Sequence, residues 1–194
     1  MLRVKDEGIR DLRKYEAAPV LSKSFYEDAI QYVLSQIDRN LELFTDKFPS
    51  PSSSNNVYEV WDNVEWTPGF WTGMLWLAYE VTGDAKYRLA AEGQLESYQK
   101  RLEDKKHTAT HDLGFLYTLS CVAAYRLTGN EEAKKTALKA ADLLLERYFE
   151  KAGIIQAWGN LDNPNQRGRM IVDCCMNLPL LYWTYETKQW ELYW

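Results

Sequence analysis

The sequence predicts an all-α protein assembled from repeated helix hairpins, and three observations carry that reading. Apolar residues recur at helical spacing through several long segments. A seven-residue turn motif occurs twice, as Ala78-Tyr79-Glu80-Val81-Thr82-Gly83-Asp84 and as Ala124-Tyr125-Arg126-Leu127-Thr128-Gly129-Asn130, offset by 124 − 78 = 46 residues. No run of convincing strand length stands out anywhere in the chain.

Taken in order, residues 1–22 are mixed and poorly periodic, which predicts a loose N-terminal arm preceding a domain over 23–194. From Ser24 to about Phe48, the residues Phe25, Ile30, Val33, Leu34, Ile37, Leu41 and Phe44 fall mostly on one stripe and predict a helix. The cluster Pro49-Ser50-Pro51-Ser52-Ser53-Ser54-Asn55-Asn56 reads as a loop. Pro68 opens the next helix in its first turn, where a missing N–H costs nothing, and Gly83 stops it. In each copy of the repeat, Gly supplies a left-handed C-cap, and the following Asp84 or Asn130 is placed to cap the next helix. Ala133, Ala137, Leu138, Ala141, Leu144, Leu145 and Tyr148 then give an amphipathic helical face.

At 194 residues the chain is long enough for one domain with a substantial core, and 46% hydrophobic and 26% charged residues are those of a soluble globular protein. A net charge of −5 argues against nucleic acid or an anionic membrane surface as partner. Neither a signal peptide nor a membrane span is expected, which makes the cytoplasm the default compartment. Three cysteines, two of them adjacent at Cys174 and Cys175, form neither a disulfide framework nor a zinc spacing. The two histidines, His107 and His111, form no metal-binding motif, so neither a metal nor another cofactor is expected. Eight tryptophans and thirteen tyrosines suit a helical core as well as a sugar-stacking wall.

If the hairpins stack side by side, the tight Thr-Gly turns lie at one end, and the longer connections around 46–67, 104–111 and 150–170 gather at the other. Trp66, His111, Asp112, Trp158 and Asp173 sit in those connections or just inside the helices that follow, and so converge on one rim. Asp112 before an apolar run reads either as a helix N-cap or as a working carboxylate. Asp173, in Ile171-Val172-Asp173-Cys174-Cys175-Met176, has apolar residues on both sides and no clear capping context. A carboxylate held among apolar side chains is costly to ionise, which suits an acid that must carry a proton, and a second carboxylate completes the pair that glycoside chemistry uses. Trp66 and Trp158 lie in loop-like surroundings, either filling the rim of the core or walling a sugar site. Arg167 and Arg169 either meet an anionic group or lie in solvent.

Four segments together carry a family resemblance: Trp61-Asp62-Asn63-Val64-Glu65-Trp66-Thr67-Pro68-Gly69-Phe70-Trp71-Thr72-Gly73, His111-Asp112-Leu113-Gly114-Phe115-Leu116-Tyr117, Ile155-Gln156-Ala157-Trp158-Gly159, and Ile171-Val172-Asp173-Cys174 with Met176-Asn177-Leu178. In this order they resemble the unsaturated glucuronyl hydrolases, which act on the Δ4,5-uronyl disaccharides released by polysaccharide lyases. The unsaturated rhamnogalacturonyl hydrolases share the implied fold and chemistry and are less similar in these segments.

The resemblance implies an (α/α)6 barrel of six helix hairpins, of which this chain would form the N-terminal part. It also implies roles: Asp173 as general acid/base, Asp112 as the supporting carboxylate, and Trp66, His111 and Trp158 lining the sugar pocket. The implied substrate is an unsaturated uronyl disaccharide or oligosaccharide, hydrated at its enol-ether double bond. After Leu180–Glu186 a third Thr-Gly turn is expected, but the sequence runs Thr187-Lys188-Gln189-Trp190 instead and ends at Trp194. That predicts half a barrel, truncated before the remaining hairpins. Its exposed inner face would favour self-association, and a non-catalytic helical module is the alternative to an enzyme.

Overall fold

The computed structural model describes residues 8, 10–16 and 20–189. It divides into two units, Met1–Gln36 and Ile37–Trp194. Of the arm expected at 1–22, residues 1–7, 9 and 17–19 lie outside the described residues, as do 190–194 at the other end. The first unit holds α1 (Leu12–Glu16) and most of α2 (Lys23–Phe44), a helix that continues into the second unit. Ser22 caps α2, its hydroxyl accepting from the Phe25 N–H at 3.2 Å.

Helix α2 stops four residues short of the expected end because Gln94 caps it from a distance. The buried Gln94 amide donates to the carbonyls of Phe44 and Thr45, both at 3.0 Å, satisfying acceptors that have no further helical turn to bond.

The segment from Pro49 to Asn56, expected as a loop in a chain without strands, is instead most of a β-hairpin. Strand β1 (Phe48–Ser54) pairs antiparallel with β2 (Val57–Trp61), and Ser54 faces Val57 across a two-residue turn. Both turn residues, Asn55 and Asn56, have positive φ (52° and 61°), the conformation of a type I′ turn, which asparagine tolerates. Pro51 is accommodated where the register shifts between Pro49 and Ser53, and Ser50 Oγ there accepts the Glu59 N–H at 3.0 Å.

Helices α3 (Pro68–Thr82), α6 (Leu113–Tyr117) with its continuation, and α9 (Leu178–Lys188) form one row. The run from Leu113 to Thr128 widens into a π-helical turn at Thr118–Val122 before α7 (Ala123–Thr128). Behind the row pack α4 (Ala85–Gly93), α5 (Leu95–Glu103) and α8 (Glu131–Leu145). Between the two layers lie Leu75, Trp76, Tyr98, Leu113, Leu116, Tyr117, Leu144 and Leu180, all fully buried. The hydroxyls of Tyr98 and Thr72 share a hydrogen bond at 2.7 Å, and Tyr117 donates to the Tyr98 carbonyl at 2.9 Å. Burial pushes both phenols to higher pKa.

Both repeat turns are as the sequence reads. Gly83 and Gly129 are left-handed and donate to the carbonyls of Tyr79 and Tyr125, while Asp84 and Asn130 cap the next helices through side-chain oxygens. Gln189 takes the same left-handed position after α9, at φ 57°, and donates to the Tyr185 carbonyl at 2.7 Å. The C-cap of α9 is therefore left-handed like the first two, with a residue that fits that conformation less well.

Glycines draw the row together at its opposite end. A methyl on Gly69 would lie 2.7 Å from Leu116 Cα, one on Gly73 3.1 Å from Leu119 Cβ, and one on Gly114 2.3 Å from Asn177 Cα. The first turns of α3 and α6, and the turn entering α9, are thus in backbone contact.

Candidate active site

Each helix start in the row is preceded by a residue of the expected rim: Trp66 before α3, Asp112 before α6, Asp173 before α9. The structure brings both carboxylates to one histidine. His111 Nε2 lies 3.2 Å from Asp112 Oδ1 and 3.5 Å from Asp173 Oδ2. The imidazole is almost fully buried, Asp112 is one-fifth exposed and Asp173 is two-fifths exposed, so the trio opens outward through the acids.

Asp112 occupies the N-cap position of α6 without capping it. Its backbone is helical and its side chain takes no bond from the first turn. Instead Thr110 Oγ1 donates to its Oδ2 at 2.7 Å, and the Asp112 N–H donates back to Thr110 Oγ1 at 3.2 Å. The Asp112 side chain therefore does not cap α6. Asp173 lies in a 3-10 turn (Val172–Met176).

Among the described residues, His111 Nδ1 and Asp173 Oδ1 are buried without a hydrogen-bond partner. Leaving a buried polar atom unmatched costs about 1–3 kcal/mol. Two such atoms at one cluster are a cost more typical of a site than of a core. The three side chains offer ligand atoms within 4.8 Å of one another, a spacing a cation could share. The sequence places the three on one rim but shows no metal-ligand spacing, because the histidine and the second acid lie 62 residues apart.

The tryptophans border the same place. Trp66 is half-exposed and packs edge-on against Phe70 and Phe115, with centroids 6.1 and 6.2 Å away. A cavity of about 270 Å³ between Trp66 and Asp112 is lined also by Glu65, Arg101, His107 and Thr110. Trp158, equally exposed, reaches the rim through the backbone: it bridges to Thr110, and the His111 N–H donates to the Ala157 carbonyl at 2.8 Å. All five expected rim residues are therefore adjacent. Arg169 stands 5.9 Å over the Trp158 ring, while Arg167 donates to the Leu161 carbonyl and faces Phe149.

Several residues that build the site were not singled out from the sequence. Arg101, buried, donates to the side-chain oxygen of Asn63 and to the carbonyls of Glu65 and His107, tying the Trp66 loop to the loop before Asp112. Burial lowers its pKa, and the charges of Glu65 and Asp112 oppose that shift. Gln156, also buried, donates to the Trp158 carbonyl at 3.0 Å, and Arg147 Nε donates to the Gln156 carbonyl at 2.8 Å. A single buried Arg or Gln gives no periodic signal. Only the proximity of Gln156 to Trp158 hinted at its role.

Comparison with known proteins returns a consistent result. The family described as Glycosyl Hydrolase Family 88 matches residues 24–194. An unsaturated chondroitin disaccharide hydrolase from Streptococcus agalactiae serotype III is 44% identical over 190 residues, covering 98% of this chain and 48% of that protein. The crystal structure of an unsaturated glucuronyl hydrolase from Streptococcus agalactiae superposes with a TM-score of 0.93 at 43% identity, over 100% of this chain and 48% of that one. A variant of an unsaturated glucuronyl hydrolase from the same species, complexed with dGlcA-GalNAc6S, matches at a TM-score of 0.82 and 38% identity, over 98% and 45% of the two chains. The chain thus spans about half the length of the relatives it matches. Its helix hairpins form about half of an α/α barrel.

Proposed function

The chain belongs to Glycosyl Hydrolase Family 88, and from that membership we propose that its site removes unsaturated glucuronic acid from glycosaminoglycan-derived disaccharides by hydrating the Δ4,5 enol-ether bond. One observation carries the reading: Asp112 and Asp173, 61 residues apart by 173 − 112, face a single buried histidine nitrogen.

In this mechanism Asp173 delivers a proton to C4 of the unsaturated uronate, and positive charge develops at C5 and the ring oxygen. Water adds at C5 and gives up its proton to a carboxylate of the pair. The resulting hemiketal opens and the bond to the leaving sugar is lost. As the proton leaves, Asp173 becomes a second negative charge beside Asp112, which suits a step that builds positive charge in the sugar. Asp112, fixed by Thr110 on one oxygen and beside His111 on the other, supports Asp173 and holds the developing charge. Trp66 and Trp158 flank the sugar faces, and their half-exposed rings suit stacking. No metal takes part in this scheme.

The substrate class is favoured by a relative of similar fold that is complexed with dGlcA-GalNAc6S. The test is the fall in ultraviolet absorbance of the enol ether when the chain is mixed with an unsaturated chondroitin disaccharide. Decay that disappears in Asp173→Asn supports the proposal. Decay only with a rhamnose-linked disaccharide would instead assign the unsaturated rhamnogalacturonyl activity.

We also propose that the chain self-associates. Phe70, Met74, Leu77 and Val81 form an exposed stripe along α3 at i, i+4, i+7 and i+11, and an apolar face of that length favours burial against another. Sedimentation velocity should show association that Leu77→Lys weakens. A monomer at every concentration would exclude it. For compartment, no described helix is long and apolar enough to cross a membrane. Three free cysteines suit a reducing compartment, which supports the cytoplasm.

A further inference from the structure

The helices that follow the Thr-Gly turns are capped by their own N-cap residues, Asp84 to Lys86 N–H and Asn130 to Ala133 N–H. Helix α6 is not. Its N-cap residue, Asp112, turns its carboxylate away toward Thr110 and His111. The N–H of Phe115, third in the helix and the usual partner of a capping side chain, donates instead to Oδ1 of Asn177 at 2.9 Å. Asn177 is fully buried and comes from 62 residues further along the chain. Its Nδ2 donates at 3.3 Å to the backbone carbonyl of Asp173.

We propose that Asn177 is a positioning residue: by capping α6 from outside, it releases Asp112 from capping and, in the same contact, fixes the turn that carries Asp173. A carboxylate at an N-cap position has an open N–H two or three residues away as its nearest strong partner. Were that N–H left free, Asp112 would be drawn onto it, leaving His111 and exchanging its helical backbone for the extended one that Asp84 and Asn130 use. Asn177 removes the competitor. Gly114 makes the arrangement sterically feasible, since a methyl there would stand 2.3 Å from both Cα and O of Asn177. Both acids are therefore placed through one amide, and both should move when it is lost. The inference rests on reading Asp112 and Asp173 as a working pair.

The test uses the full chain with isotopically labelled histidine, which reports on two rings only, His107 and His111. Asn177→Ala is expected to displace the His111 ring signals at neutral pH, and Gly114→Ala to displace them in the same direction by forcing Asn177 back. Leu144→Ala, which truncates a buried side chain of α8, should lower the thermal midpoint and leave them in place. A second readout follows from the capping swap: Asp112→Ala should lower the thermal midpoint further in the Asn177→Ala or Gly114→Ala background than in the parent, because Asp112 has become the cap there. If Asn177→Ala does not fold, Asn177→Ser, too short to reach Phe115, takes its place. Unmoved His111 signals in a folded variant, or an Asp112→Ala effect that is simply additive, overturn the proposal. Neither readout needs turnover. Displaced signals in a chain that hydrolyses nothing would sink only the hydrolase reading, and unmoved signals in an active chain only this one.

Discussion

Thr110 and Asp112 hold each other in a closed pair: the threonine hydroxyl donates to Oδ2 at 2.7 Å, and the aspartate N–H donates back to the same hydroxyl oxygen. A hydrogen bond to a charged group is worth about 1.5–3 kcal/mol. Thr110→Val, similar in shape but with nothing to donate, should therefore slow the proposed hydrolysis by roughly tenfold or more. Thr110→Ser should stay near the parent rate. Steady-state assay on an unsaturated chondroitin disaccharide checks both.

Backbone contact between α3 and α6 depends on Gly69. A methyl there would meet Leu116 Cα at 2.7 Å and its carbonyl oxygen at 3.0 Å, neither of which can swing aside. Gly69→Ala should cost about 1–3 kcal/mol, the range for overpacking, despite alanine's better helix propensity. Urea denaturation followed by circular dichroism measures it.

Much of this was legible in the sequence, and the exceptions share a cause. Pro68, Gly83, Gly129, Asp84 and Asn130 act within one turn of themselves, so local chemistry set the helix ends correctly. The rim residues Trp66, His111, Asp112, Trp158 and Asp173 could be placed together because the turn spacing fixed which connections meet. Asn177 and Arg101 work through contacts across distant stretches of chain, which no local pattern records, and Gln156 acts on neighbours within a loop that has no periodicity. The β1–β2 hairpin was hidden by its composition. Serines and prolines mask β1, and Asn55-Asn56 signals a hairpin only when the short run from Val57 to Trp61 is granted a partner.

Asp38 gives stability a pH dependence outside the site. Its carboxylate takes hydrogen bonds from Lys86 Nζ at 2.8 Å and from the Tyr87 hydroxyl at 2.7 Å, with Lys86 the larger influence, and its pKa is held below the ordinary value. A lowered folded-state pKa means the contribution is present above the unfolded value of about 3.9 and is lost as pH falls through the folded one. The pair is half-exposed, so the effect is about 0.2–1 kcal/mol. Asp38→Asn should lower stability by that much near neutral pH, and the two proteins should converge in acid. Denaturation at a series of pH values tests it.

The three thiols differ in reach. Cys121 is fully buried and burial pushes its pKa up to about 12, whereas Cys175 is exposed. Brief treatment of the native protein with iodoacetamide should label Cys175 alone, and all three cysteines should react in denaturant. Mass spectrometry of tryptic peptides distinguishes these outcomes.

Gln189 stands in the left-handed conformation that Gly83 and Gly129 adopt in the earlier turns. A non-glycine residue there costs about 1–2 kcal/mol. Gln189→Gly should recover part of that, less the bond its side chain makes to the Glu186 carbonyl at 2.8 Å. The expected result is a small rise in thermal midpoint, read by differential scanning calorimetry.

Helices ordinarily fray from their ends, where backbone groups lack partners and neighbours are few. The glycine contacts at Gly69, Gly73 and Gly114 make this row uneven. Its first turns lie backbone against backbone, whereas Gly83, Gly129 and Gln189 close the opposite ends in exposed turns. Amide protection should therefore fall along α3 and along the run from Leu113 to Thr128, from the acid-bearing end toward the Thr-Gly end. Partial opening would begin at the end away from Asp112 and Asp173, so the molecule could breathe there without disturbing its two carboxylates.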